Sequence, residues 1–214
     1  IMKLRLRNIF LRILKIMILN IKNQFNCYLL NFYSFFINSE SRYKFFENNY
    51  HIKISDRYHR YFSTKHSLRY LKGNISNRLL DEYLVNDLKF EDNDIIIDCG
   101  ANNGDLFLSF YEKKIRYVGI EASPEIFEIL KYNVKNQKLI NKAVHNEKVD
   151  KIIFYKKDFS GDSSIIEPLN YDKKIEISTT TLDQIIGIFN EPVKLIKIDA
   201  EGSEPEVLHG LQKN

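Results

Sequence analysis

The stretch DIIIDCGANNGD, at residues 94–105, constrains the fold more than any other part of the chain. Three consecutive isoleucines predict a buried strand, and the acid, glycines and asparagines that follow predict a sharp turn at its carboxyl end. The chain contains only 8 glycines in 214 residues, so two of them four positions apart indicate a turn with special backbone requirements. In doubly wound α/β sheets, a turn from a buried strand into a helix is where ligands bind.

The segments around this turn alternate between strand-like and helix-like patterns. A helix capped by Ser76 precedes it, with an apolar face that includes Leu79 and Leu88. Alternation of this kind predicts βαβ units and a parallel sheet. Further predicted elements are strands at 94–98, 116–121 and 140–145, helices at 104–113 and 124–136, a β-rich insertion at 151–158 and 174–181 with a short helix from Leu182, and a last strand and helix in VKLIKIDAEGSEPEVLHG, where Ser203 and Glu206 form a capping box.

The net charge of +4 is unevenly distributed along the chain. Residues 1–75 contain 14 Lys or Arg against 3 Asp or Glu, whereas the remainder contains 18 against 25. We therefore expect two parts: a basic, aromatic-rich, mainly helical extension at 1–75 and a domain at 76–214. Cys27 and Cys99 are 72 residues apart and form neither a disulfide framework nor a zinc motif, which favours a reducing, cytoplasmic location.

The first 22 residues have apolar positions at helical spacing, interrupted by Lys and Arg. These charges exclude a transmembrane span, and the apolar run at 16–21 is short for a signal peptide. We interpret the segment first as a helix packed on its own domain, and second as a helix in peripheral contact with a membrane. Basic and aromatic residues also interleave at 50–62, but the whole chain is rich in Tyr and Phe, so we expect no nucleic-acid partner.

The spacing of the glycine turn indicates which ligand it accepts. DCGANNG matches neither the GxGxxG of dinucleotide sites nor the GxxxxGK[ST] of P-loops. Asp98 at the strand end disfavours a pyrophosphate and favours a cationic group, such as the ammonium and sulfonium of S-adenosylmethionine. Glu121 ends the next strand, 23 residues on, where its carboxylate can accept hydrogen bonds from a ribose diol.

At this point the chain resembles the FkbM-type S-adenosylmethionine-dependent methyltransferases. The motifs that carry the resemblance are DIIIDCGANNGD, YVGIEASPE, INKAVHNEKVDKIIFY, STTTLDQI and LIKIDAEGSEPEVLHG, in this order between about residues 90 and 210. The resemblance implies a doubly wound, mostly parallel, Rossmann-like class I methyltransferase sheet and O-methylation of a hydroxyl on a sugar, glycan or small metabolite. It further implies that Asp98, Gly100, Ala101, Asn102 and Gly104 hold the methionine end, Glu121 the ribose, and Ala143, Val144 and His145 the adenine, with Ala122 also among the cofactor-binding residues.

Asp199 and Glu201 are the candidate catalytic residues, because KIDAEG ends a strand beside the predicted cofactor turn. We expect Asp199 to orient or deprotonate the acceptor hydroxyl, with Glu201 as the alternative. The two acids could share a divalent cation, but two ligands are too few to assign a metal site. His145 and His209 are interpreted as structural, and Ser163 and Ser164 as weak candidates for the acceptor side.

Two other functions remain open at this stage: an inactive methyltransferase-like module that binds a nucleoside, and a nucleotide-sugar or dinucleotide enzyme on a similar sheet. The chain stops after the helix that follows the fourth predicted strand, whereas the resemblance implies three further strands. We therefore expect it to be a fragment of a longer protein. Neither the acceptor nor the oligomeric state can be assigned from the residues.

Overall fold

A computed structural model describes residues 2–37, 39–54, 56–71, 75–157 and 163–212, without the side chains of residues 2–7, 64 and 65. Its contacts divide the chain into two compact units, Ile1–Ile75 and Ser76–Asn214. The boundary between them falls where the charge balance changes from basic to acidic.

The first unit contains a helical hairpin, a small antiparallel sheet and a short helix. The sheet, in the order β1-β2-β3, was not predicted from the sequence, because Lys, Arg, His and Tyr obscure the alternation of its strands. Among the helices described, none has the length and apolar character required to cross a bilayer. The elements are α1 (Met2–Asn20), α2 (Asn23–Phe36), β1 (Arg42–Phe46), β2 (Asn49–Ile54), β3 (Arg57–Tyr61) and α3 (Thr64–Tyr70).

Aromatic rings form the core of this small sheet. Tyr43 and Tyr61 are buried and meet edge to face with their ring centroids 6.3 Å apart. Tyr50 stacks on Tyr61 at 5.3 Å, and His51 is buried and stacks on Phe46. Several rings of the segment 50–62 therefore contribute to packing within the unit.

The second unit is built on a parallel four-stranded sheet in the order β11 (Val193–Ile198), β4 (Ile95–Cys99), β5 (Arg116–Ile120) and β6 (Lys138–Ile140). The chain adds two strands on one side of β4 and then returns to place the last strand on the other side. This is the doubly wound arrangement that the sequence predicts, and its topological switch point lies between β4 and β11. The elements are α4 (Ile75–Glu82), β4 (Ile95–Cys99), β5 (Arg116–Ile120), α5 (Pro124–Asn133), β6 (Lys138–Ile140), β7 (Ala143–Val144), β8 (Ile152–Lys156), β9 (Lys173–Ile177), β10 (Thr179–Thr180), α6 (Leu182–Ile186), β11 (Val193–Ile198) and α7 (Glu204–His209).

β4 is the buried centre of the sheet. Ile95, Ile96 and Ile97 are at most 1% exposed, because the strand has a neighbour on each edge and is covered on both faces. The isoleucine run that predicted a buried strand therefore corresponds to the core of the unit. Its carboxyl end leads directly into the glycine turn.

Two predicted elements differ from the structure. The predicted helix at 104–113 is a five-residue 3₁₀ helix, Leu106–Phe110, in which Phe107 and Phe110 are buried three residues apart, as three residues per turn requires. The predicted strand at 140–145 is divided between β6 in the main sheet and β7, which pairs in parallel with β10. The insertion forms an antiparallel pair, β8 and β9; residue 158 at its predicted strand end lies outside the described residues, as do 159–162.

The helix boundaries also differ from those predicted. Ser76 lies inside α4, and this helix ends at Glu82, so that Leu88 is beyond it and 40% exposed. Ser203 precedes α7 without a side-chain capping bond. Instead of Glu206, Glu204 accepts hydrogen bonds from the loop before the helix, at 2.8 Å from the Ala200 nitrogen and 3.3 Å from the Gly202 nitrogen.

Candidate active site

The turn after β4 is fastened to the carboxyl end of β5. The backbone nitrogens of Gly100 and Ala101 both donate to the carbonyl oxygen of Ile120, at 3.0 and 2.9 Å. The turn adopts positive φ at Gly100, Asn102 and Gly104, with values of 75°, 51° and 85°. Glycine and asparagine are the residues that reach this region at least cost, so the sequence specifies the shape of the turn.

Both glycines are also required by close protein packing. A Cβ at Gly100 would lie 1.9 Å from the carbonyl oxygen of Asp199, at the end of β11. A Cβ at Gly104 would lie 3.1 Å from Cδ1 of Leu130, which is on α5, and 2.7 Å from Cγ2 of Val134, which directly follows that helix. The structure therefore gives a packing reason for both glycines, and the approach of a ligand to their backbone stays a prediction.

Asp98 is held by two buried partners. Its side chain is 1% exposed, with Oδ1 2.9 Å from Nζ of Lys197 and Oδ2 accepting a 2.5 Å hydrogen bond from the Tyr117 hydroxyl. The same Lys197 ammonium donates to the carbonyl oxygens of Gly100, at 2.8 Å, and Cys99, at 3.3 Å. Lys197 therefore joins β11, the end of β4 and the start of the glycine turn.

Lys197 was not among the site residues predicted from the sequence. Burial lowers the pKa of its ammonium, but the nearby carboxylates of Asp98 and Asp199 outweigh that effect, so the pKa is raised. A lysine in the middle of the apolar strand VKLIKI was the available signal, because a buried lysine needs an acidic partner.

Asp199 directly follows β11, at the topological switch point between β4 and β11. Its side chain is 48% exposed, and Oδ2 accepts a 2.9 Å hydrogen bond from the Tyr83 hydroxyl and lies 3.8 Å from Nζ of Lys197. Burial and the charge of Asp199 raise the pKa of Tyr83, so its hydroxyl remains a donor at neutral pH. Glu201 follows in an exposed turn with φ of 51°. The hydrogen bond from Tyr83 and the ion pair with Lys197 thus hold the Asp199 carboxylate in place.

Glu121 connects the glycine turn to β5. It is 8% exposed, and its two carboxylate oxygens accept hydrogen bonds from the backbone nitrogens of Asn102, at 3.0 Å, and Ser123, at 2.7 Å. Burial raises the pKa of Glu121 to about 7, although these two bonds act in the opposite direction. A carboxylate has about four acceptor positions, so two remain for hydroxyl donors such as a ribose diol.

Two of the three residues predicted to contact adenine are buried. Ala143 and Val144 form β7 and are buried, 5% and 7% exposed, against β10. The backbone nitrogen of His145 donates to the carbonyl oxygen of Thr180 at 2.9 Å, and its side chain is partly buried. Ala122 is half-buried directly after Glu121. His145 and Ala122 therefore have more accessible surface than the two β7 residues.

The remaining candidates lie in the insertion and on the last helix, and their predicted roles stay predictions. Ser163 accepts a hydrogen bond from the Lys157 nitrogen, and buried Ser164 pairs through its backbone with Tyr155. His209 is exposed in the last turn of α7. Within the described ranges, no three His, Cys, Asp or Glu residues are grouped so that they could hold a metal ion.

Comparison with known proteins identifies the class. The sequence model described as "Methyltransferase FkbM domain" matches residues 98–214. Together with the parallel sheet and its glycine turn, this match identifies the second unit as a domain with a Rossmann-like methyltransferase fold. The chain belongs to the FkbM methyltransferase domain family, whose members depend on S-adenosylmethionine.

Two solved structures are similar to parts of this chain. One is a complex of a methyltransferase with the Trm112 methyltransferase activator of Haloferax volcanii, with 19% identity over 36% of this chain and 37% of that chain, and a TM-score of 0.27. The other is TYW2 of P. horikoshii in complex with MeSAdo, with 13% identity over 56% of this chain and 50% of that chain, and a TM-score of 0.32. The chain thus spans half or less of the length of these structures. No curated protein matches it.

Proposed function

We propose that the chain transfers a methyl group from S-adenosylmethionine to a hydroxyl of a sugar, glycan or small metabolite. The observation that carries this proposal is the carboxylate of Asp199, which is half-exposed at the switch point of the sheet and held by Tyr83 and Lys197. Tyr83 and Lys197 both approach Oδ2. In the described part of the chain, Oδ1 is therefore the oxygen that can accept a hydrogen bond from a substrate hydroxyl.

The residues around the glycine turn suit S-adenosylmethionine. Glu121 retains acceptor capacity for the ribose diol, and half-buried Ala122 follows it. The backbone of Ala101 and Asn102 would support the methionine end. Because Lys197 and Tyr117 engage both oxygens of Asp98, we assign Asp98 to holding the turn in shape rather than to a direct bond with the ligand.

Positioning accounts for most of the proposed catalysis. S-adenosylmethionine, when bound, supplies a methyl carbon already activated by the sulfonium. Methyl transfer would exchange the carbon–sulfur bond for an oxygen–carbon bond and leave the electron pair on sulfur, and the role of Asp199 would be to take the proton of the hydroxyl. Alignment of reacting groups supplies about 7–11 kcal/mol, whereas a general base adds about 10²- to 10⁴-fold.

Asp199→Asn and Glu201→Gln are the variants that test this assignment. With methyl-labelled S-adenosylmethionine and a panel of hydroxyl, amine and thiol acceptors, we expect labelled product from a hydroxyl acceptor. Asp199→Asn should lower turnover by about 10²- to 10⁴-fold without weakening S-adenosylhomocysteine binding, whereas Glu201→Gln should behave like the unmodified chain.

Three results would overturn the proposal. Product from amine or thiol acceptors alone would change the acceptor class. Binding of S-adenosylhomocysteine without turnover on any acceptor would indicate an inactive nucleoside-binding module. Competition by NAD or UDP-sugars, without an effect of S-adenosylhomocysteine, would indicate a dinucleotide or nucleotide-sugar enzyme.

A further inference from the structure

The helical hairpin of the first unit has one strongly apolar side that faces solvent. The side chains that form this apolar face are between 41% and 75% exposed. Isolated exposed hydrophobic residues are ordinary, but contiguous ones mark interaction surfaces. The apolar face consists of Ile9, Phe10, Ile13, Ile16 and Met17 of α1 and Phe25, Tyr28, Phe32 and Phe35 of α2.

The apolar face is continuous across the two helices. Its members recur every three or four residues along each helix, so they share one side of α1 and one side of α2. The rings of Phe10 and Phe32 join the two stripes, with centroids 6.3 Å apart. Leu14, Ile18 and Leu30 are buried, which shows that the hairpin already has a separate packed side. The apolar face is therefore additional to the core of the unit.

The charge of the hairpin indicates what covers this face. Residues 1–37 contain six Lys or Arg and no Asp or Glu. Arg12 and Lys15 are exposed, and Arg12 lies three residues after Ile9 and four before Ile16, at the border of the apolar face. A second copy placed on the same face would oppose basic residues to basic residues, because a two-fold interface brings the same patch together. An anionic bilayer instead complements both the apolar and the basic groups.

We propose that the apolar face of α1 and α2 docks on the surface of an anionic membrane. The apolar side chains enter the boundary between headgroups and acyl chains, while the basic residues remain among the headgroups. This mode of binding requires no membrane-crossing helix, in agreement with the absence of one among the described residues.

The chain contains no tryptophan, which allows a direct test with the whole chain. Phe35→Trp places a single tryptophan on the apolar face, and Leu169→Trp places one at a fully exposed position of the second unit. With phosphatidylcholine vesicles that contain phosphatidylserine, emission from the first variant should shift to the blue, and emission from the second should not. Vesicles of phosphatidylcholine alone should produce a much smaller shift.

Basic residues provide the second arm of the test. Each basic residue near an anionic surface contributes about 1 kcal/mol, so Arg12→Gln with Lys15→Gln should weaken vesicle binding about 30-fold. Lys89→Gln with Lys148→Gln, at exposed positions of the second unit, is the matched control and should have little effect. High salt should weaken binding of the unmodified chain in the same way.

Several outcomes would overturn the proposal. The first is that the chain is folded by circular dichroism but shows no blue shift and does not cosediment with anionic vesicles. Equal, salt-independent binding to neutral vesicles would remove the role of the basic residues. A dimer in sedimentation velocity that Phe25→Ser with Phe35→Ser dissociates would show that a second copy covers the apolar face.

Discussion

Replacement of Lys197 by methionine is expected to destabilise the second unit by about 3–5 kcal/mol. The Lys197 and Asp98 side chains are only 6% and 1% exposed, and their charged atoms are 2.9 Å apart. Methionine is unbranched and of similar length, so packing changes little, but of the partners that the described residues provide, the Asp98 carboxylate then keeps the Tyr117 hydroxyl and loses the ammonium. Removal of one partner from a buried ion pair costs about 3–5 kcal/mol, because the remaining charge is buried without compensation.

The free energy of unfolding, from urea denaturation followed by circular dichroism at neutral pH, measures this loss. Lys194→Met is the matched control, because Lys194 is exposed on the same strand and its replacement should change stability by less than about 0.5 kcal/mol. Addition of Asp98→Asn to Lys197→Met should recover part of the loss, since neither charge then remains. If Lys197→Met is no more destabilising than Lys194→Met, the buried pair does not hold the site together.

Three further predictions concern the turn, the buried glutamate and the acceptor side. Gly100→Ala should be far more destabilising than Gly202→Ala in urea denaturation. Both glycines have positive φ, which costs alanine about 1–2 kcal/mol at either position. At Gly100, however, the added Cβ would lie 1.9 Å from a backbone oxygen, whereas at Gly202 it would meet nothing within 4 Å. Burial raises the pKa of Glu121 from 4.5 to about 7, so between these pH values the folded chain holds a proton that the unfolded chain has lost, and the free energy of unfolding falls as pH rises through that window. Glu121→Gln should flatten this decline. In the unmodified chain, calorimetry should show that S-adenosylhomocysteine binds more tightly as pH rises through about 7. Tyr83→Phe should lower methyl-transfer turnover about tenfold or more, without a change in S-adenosylhomocysteine affinity, whereas Tyr132→Phe should leave both unchanged. Equal destabilisation by the two alanines, a pH slope that persists in Glu121→Gln, or full activity of Tyr83→Phe would each contradict the corresponding prediction.

The central sheet could be predicted because its signals are local. Isoleucines at 95–97 and the acid-glycine turn after them specify a buried strand and its end without reference to distant residues. The same is true of β5 and of α5, which begins at Pro124 as predicted. The sheet of the first unit was missed because its pattern depends on which tyrosine and histidine rings pack against each other.

The side chains that organise the candidate site were harder to predict. Asp98 and Lys197 are 99 positions apart, and Tyr83 and Asp199 are 116 apart. Only the strand order of the folded sheet brings these pairs together. The sequence could indicate acids at strand ends, but it could not show that the carboxylate of Asp98 is already paired.

Calorimetric titration of the folded chain with S-adenosylhomocysteine tests the central claim most directly. The proposed site predicts micromolar binding that Glu121→Ala weakens at least tenfold, about 1.4 kcal/mol, and that Asp199→Asn leaves unchanged. No binding by the folded chain, or binding that does not depend on Glu121, would contradict the cofactor site proposed at the ends of β4 and β5.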